Sequence, residues 1–192
     1  MRVFGRVCLV AGGVMLLAAS AHAQYPQRHQ GIYATFGLGY GSAKVACDQC
    51  GDTGRTGDLT GFLNVGGALS QSILLGAEVT GWSKITDSND NLATSTVNAV
   101  ISWYPSTREG FFIKGGLGFG FIRGDKDTDE GIRAFDSSGI GYQLGLGYDM
   151  RIQRNLSVTA VANFYGGNVG DIRTIRNVNF NVLQFMAAVT FH

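Results

Sequence analysis

Two cysteines stand three apart in the 192-residue chain, Cys47 and Cys50 in the run KVACDQCGD. A C-x-x-C pair can be a redox dithiol or half of a zinc site. Redox pairs of this type sit in a thioredoxin-like context, and zinc needs two further ligands. The flanking sequence supplies neither. In an oxidising compartment the same spacing makes a small disulfide that closes a loop tip, provided the two Cα atoms can approach closely. A second group is ionic: Glu78, Lys84, Lys114, Asp149 and Arg151 each fall among residues that alternate with apolar ones. If they share an interior face they must pair or stay hydrated, because a lone buried charge is costly. Glu78 and Lys114 are the expected pair, acting either as a gate in a pore or as a static plug in a filled lumen.

Other chemistries find less support. Of the three histidines, His22 lies in the N-terminal leader, His29 just ahead of the first strand pattern and His192 at the end. Neither His29 nor His192 is expected beside a serine on a strand face, so no nucleophile–base arrangement is read and the chain is not taken for an enzyme. The glycine runs GLGYG and GGLGFG have no following helix, unlike a phosphate loop. The acidic run at 125–130 lacks the spacing of a calcium loop. No cofactor and no metal are expected.

These residues are positioned by strands. In GFFIKGGLGFGFIRG, residues 110–124, the odd positions are Phe111, Ile113, Gly115, Leu117, Phe119 and Phe121. The even positions are Phe112, Lys114, Gly116, Gly118, Gly120 and Ile122. Successive side chains of a strand point to opposite faces, so one face is apolar and the other mostly bare. The apolar face runs for about eleven residues, the length a tilted strand needs to cross hydrocarbon.

Composition and the first residues agree. Arg2 and Arg6, the apolar run 7–19 and Ala21-His22-Ala23 make a secretory signal peptide over 1–23, with cleavage before Gln24. The apolar run is too short, and too interrupted by Gly12 and Gly13, for a membrane helix. Cleavage leaves 169 of 192 residues, with 13 of the 15 basic residues against 14 acidic. That balance gives no basic stripe for nucleic acid. The chain has 29 glycines and 15% charged residues, whereas soluble domains carry about 25% charged residues. An exported, glycine-rich, charge-poor chain without a membrane helix has one good membrane solution, a closed barrel.

In order, residues 24–30 form a periplasmic lead-in and 31–192 a single barrel domain. Strands are expected at 31–42, 58–70, 73–85, 93–104, 110–124, 137–150 and 155–165, with an eighth running to the C-terminus. Long polar loops at 43–57, 86–92, 125–136 and 166–177 alternate with short turns near Gln71, at 105–109 and at 151–154. Long loops on one side and short turns on the other are the habit of outer-membrane barrels, with both termini on the periplasmic side. Inward Tyr33, Phe62, Trp82, Phe112 and Tyr165 are expected to pack over inward glycines. A soluble carrier barrel would instead have an apolar interior and a charged exterior.

The chain ends in NVLQFMAAVTFH, which resembles the closing strand read by the outer-membrane assembly machinery. Leu183, Phe185, Val189 and Phe191 fit its alternation, with His192 one place beyond the closing aromatic. The mature chain as a whole resembles the small OmpA/OmpX-type outer-membrane β-barrel group. That resemblance implies an all-β, eight-stranded, antiparallel up-and-down transmembrane barrel in a Gram-negative outer membrane. It further implies a structural or surface-interaction role through the polar outer loops, with a narrow passive pore or small-solute transporter as the alternative. The partners expected are outer-membrane lipid including lipopolysaccharide, and periplasmic chaperones with the assembly machinery during biogenesis. The chain is expected to be a monomer.

Overall fold

The computed structural model describes residues 29–48, 54–85, 91–128, 131–172 and 175–192. They form eight strands: β1 (Ile32–Ala46), β2 (Thr56–Ala68), β3 (Ile73–Ile85), β4 (Asn91–Trp103), β5 (Phe111–Thr128), β6 (Gly131–Gln153), β7 (Leu156–Ile172) and β8 (Ile175–Phe191). Each pairs antiparallel with its sequence neighbour, and β8 returns to β1, so the sheet closes as an up-and-down barrel. The expected all-β, antiparallel up-and-down barrel and its strand number are both present.

The alternation in the sequence is the alternation in space, and it is inside out. Leu117 is 71% and Ile140 72% exposed on the outer wall, while Gln184, Thr80 and Glu78 inside are each 0% exposed. A soluble carrier barrel has the opposite arrangement. Bare glycines on the inner face carry the rings of neighbouring strands. Gly37 lies beneath Phe62, and a Cβ on Gly147 would come within 2.5 Å of the Phe112 ring. The inner face is therefore packed, with large rings over missing side chains.

The main departure from expectation concerns the long loops. Residues 125–136 and 166–177 are mostly strand: β5 and β6 pair as far as Thr128↔Gly131, and β7 and β8 as far as Ile172↔Ile175. β1 likewise continues to Ala46 by pairing with β8 at Ala46↔Asn179. Backbone hydrogen bonds extend a ladder regardless of side-chain polarity, so the end of the apolar alternation marked the end of the greasy wall rather than of the strand. Residues 86–90 of the expected third-strand loop lie outside the described residues. At the other end the turns are short, and Arg151 still belongs to β6. In the turn after β2, Leu69 N donates to Ile73 O at 2.9 Å, and Ser70 Oγ accepts from Ile73 N at 3.0 Å.

Gly147→Ala crowds both the Phe112 ring and, at 2.8 Å, the Ala160 carbonyl, and is expected to cost about 1–3 kcal/mol. Gly115→Ala, whose Cβ would meet Leu144 Cδ2 at an ordinary 3.5 Å, is expected to stay within about 0.5 kcal/mol of wild type. Urea unfolding of the refolded chain in lipid vesicles measures both.

Candidate functional site

The inner face of each strand contributes polar side chains at mid-height, and these meet at Glu78. Glu78 on β3 sits across from Asn98 on β4, and Lys114 on β5 across from Ser102 on the same strand. The amine of Lys114 thus reaches over one intervening strand. Its Nζ donates to Glu78 Oε1 at 2.7 Å and to Oε2 at 2.8 Å. Two amides complete the carboxylate shell: Asn64 Nδ2 donates to Oε2 at 2.8 Å and Gln143 Nε2 to Oε1 at 3.0 Å. Tyr33 OH donates to Asn64 Oδ1 at 3.0 Å, and Asn98 Nδ2 to Gln143 Oε1 at 2.8 Å. The Lys114 amine also lies 4.4 Å from the centre of the Phe62 ring, a favourable cation–π position. On the far wall Gln184 accepts from Asn163 Nδ2 at 3.1 Å and donates to Thr60 Oγ1.

Apolar clusters flank this polar layer at both ends. Toward the short turns lie Tyr33, Phe62, Leu74, Tyr104, Phe112 and Met186. Toward the long hairpins lie Trp82, Ile122, Tyr165, Val178, Phe180 and Val182. Trp82 Nε1 donates to Gly41 O at 3.0 Å and Tyr165 OH to Thr94 O at 3.2 Å, so both large rings have their polar atoms satisfied. A cavity of about 30 Å3 remains between Glu78, Lys114, Tyr104 and Asp149 and reaches His192, room for more than one water.

The other charges lie apart from the central pair. Asp149 is nearer the short-turn end, where Tyr104 OH donates to its Oδ2 at 2.6 Å and Thr159 Oγ1 to its Oδ1. Arg151 follows on the same inner face of β6 and is buried. Lys84 is half-buried on β3, across from Leu92 and six residues beyond Glu78. Cys47 is disulfide-bonded and packs at the edge of the hairpin-end cluster; Cys50 lies outside the described residues. Beside Cys47, Asp48 N donates to Arg176 O at 3.2 Å and Asp48 Oδ1 accepts from Asn177 Nδ2 at 3.2 Å. These bonds tie the first loop to the last hairpin. Arg55 bonds Ser42 and, at 2.7 Å, Asn181 Oδ1 at the same end.

On β8, Leu183, Phe185 and Phe191 face outward and exposed, with Val189 half-buried between them. His192 extends the ladder by one residue, its N–H donating to Asn155 O at 3.1 Å. Its ring turns to the opposite face from Phe191, and Nε2 lies 3.2 Å from Ser157 Oγ. A serine therefore does stand beside this histidine, contrary to the sequence reading, because the ladder brings the start of β7 against the end of β8. Ser157 is fully buried, and the nearby Asp149 carboxylate is engaged by Tyr104 and Thr159. Sequence reasoning also missed Asn64, Gln143 and Tyr104 as partners in these networks. Strand parity put Asn64 and Gln143 inside, but parity gives depth and neighbours only once the register is known.

The outer membrane protein beta-barrel domain family matches residues 9–191, and the chain belongs to that family. Among curated proteins, none matches by sequence. The fold is similar to Neisserial surface protein A (NspA), with TM-score 0.56, 17% identity, and coverage of 84% of this chain and 97% of that one. It is also similar to Ail, the attachment invasion locus protein of Yersinia pestis, with TM-score 0.57, 14% identity, and coverage of 84% and 99%. The family places the chain among barrels of the cell outer membrane, and these neighbours share its small-barrel fold.

Lys114→Met leaves Glu78 buried without its countercharge and is expected to cost about 3–5 kcal/mol. Glu78→Gln strands Lys114 and should cost a similar amount. The double variant is expected to lose clearly less than the two losses added, a coupling read by urea unfolding of all four proteins.

Proposed function

We propose that this member of the outer-membrane β-barrel family is a closed membrane anchor with a structural and surface-interaction role, displaying its long hairpins outside the cell. The observation that carries this reading is the filled lumen. The Glu78 carboxylate is bonded by Lys114 and two protein amides, and the layer around it is flanked by an apolar cluster on each side, which disfavours the entry of an ion. At their low identities, NspA and Ail bear on the fold alone, so the role rests on the lumen and not on them.

Orientation follows from the two ends. The start of β1 and the end of β8 lie with the short turns, which supports a periplasmic position for that end and an external one for the hairpins. In this reading residues 1–23 are the export signal, removed before Gln24. Leu183, Phe185, Val189 and Phe191 then present the outward closing-strand pattern to the assembly machinery, after delivery by periplasmic chaperones. At the outer rim Tyr40 rests against Gly57, and Arg55 is held by Ser42 and Asn181. An aromatic ring and a cation at that height suit lipopolysaccharide headgroups.

The competing reading is a narrow pore, in which Glu78 and Lys114 act as the gate. Single-channel recording on refolded protein in planar bilayers separates the two, with folding verified independently. The anchor reading expects wild type to be silent. Discrete openings, with ion selectivity that shifts in Glu78→Ala or Lys114→Ala, would overturn it.

A further inference from the structure

Immediately before β1 the chain turns inward. Gly31 has φ of 81°, a left-handed backbone that glycine adopts without a Cβ penalty. Its carbonyl accepts from Ala68 N at 3.0 Å, which fixes the turn to the end of β2. The turn delivers His29 into the barrel mouth at the short-turn end. There the imidazole is 2% exposed, with its centre 4.1 Å from the Tyr104 ring and 5.7 Å from the His192 ring. Neither ring nitrogen has a hydrogen-bond partner among the described residues. His29 is therefore held by ring packing, without the polar bonds that ordinarily keep a buried imidazole in place.

Of the groups facing it, the two basic ones, Arg151 and His192, oppose a second positive charge, and the one carboxylate is already bonded elsewhere. From the end of β4 comes Tyr104, whose hydroxyl is given to Asp149. From β6 come Asp149, already engaged by Tyr104 and Thr159, and the cationic Arg151. From the end of β8 comes His192, and β7 offers Ser157, which does not titrate and bonds His192. We propose that residues 29–31 form a pH-released latch over the barrel mouth, in which neutral His29 docks against Tyr104 and protonation expels it. Burial first, then His192 and Arg151, push the docked His29 down from 6.5 to about 4. Burial and Arg151 bring His192 down to about 4 as well.

The direction of the switch follows by linkage. Docking lowers the affinity of His29 for a proton, so docking is at full strength above the released value near 6.5. It weakens as pH falls from there toward 4 and loses nothing further below. Between pH 7.5 and pH 5 the ratio of docked to released chain should fall roughly thirty-fold from His29 alone. The expected consequence is that mild acid exposes the entry segment and bares Tyr104 and His192 at that end, while the Glu78–Lys114 layer stays closed.

The test uses the refolded full chain in detergent micelles, labelled for NMR. The Gly31 amide reports the turn, and the His29 ring proton reports its position over Tyr104. From pH 7.5 to pH 5, both wild-type signals are expected to pass from the docked to the released position with the thirty-fold change in ratio. In His29→Phe, which keeps the ring and removes the proton site, the Gly31 amide is expected to stay docked across the same range. A wild-type Gly31 amide unchanged down to pH 4.5 would overturn the latch. So would a His29→Phe response equal to that of wild type.

Discussion

Closing eight strands into a ring fixes an interior only about as wide as the side chains that line it. Inward polar groups must then find most of their partners within the wall itself, because little water can follow them inside. Lys114 meets this constraint by reaching past β4 to Glu78, while Asn64 and Gln143 approach the same carboxylate from either side. Taking two charges out of water is expensive, and their attraction repays it only when the remaining lone pairs are also bonded. Here the amides supply those bonds. The pair consequently sets the register in which the rest of the lumen fits: the rings on glycines below, and Trp82 and Tyr165 above.

The outer wall obeys the opposite rule. Its exposed leucines, isoleucines and phenylalanines would be a liability in water, but they are the required surface for hydrocarbon. The inward glycines reconcile the two faces, since they let β-strands approach the lumen without adding bulk and leave space for rings from next door. Where the apolar wall ends, the ladder does not. β5 with β6, and β7 with β8, continue as paired hairpins beyond it. Asp48 and Arg55 stitch the first loop to the last hairpin, so the display end has internal structure of its own.

Much of this was legible in the sequence because a period of two is a direct image of strand geometry. Phe111, Ile113 and Leu117 against Lys114 and Gly118 gave the two faces of β5. Repetition gave the strand number, and β3 emerged with the bounds read for it. Glu78 and Lys114 could be paired because they are opposite charges at similar depths on nearby strands, β3 and β5. What was hidden depends on register. Gln143 is 65 residues from Glu78, and only the closed ladder makes them neighbours. Ser157 meets His192 for the same reason. His29 lies outside any periodic segment, and its burial follows from a single left-handed glycine. The hairpin lengths were misjudged because polarity says where a strand leaves hydrocarbon, and backbone pairing is indifferent to it.

The central claim is that the polar layer inside the barrel is closed to bulk water, with its ion pair held by protein amides. Water-edited solid-state NMR of the protein in lipid bilayers addresses it directly, by timing how quickly magnetisation from water reaches the side-chain amides of Asn98, Gln143 and Gln184. A sealed layer predicts transfer as slow as for the lipid-facing Val97 and Leu144. Transfer as fast as at the exposed Arg55 would reveal a hydrated channel through the lumen and contradict the account.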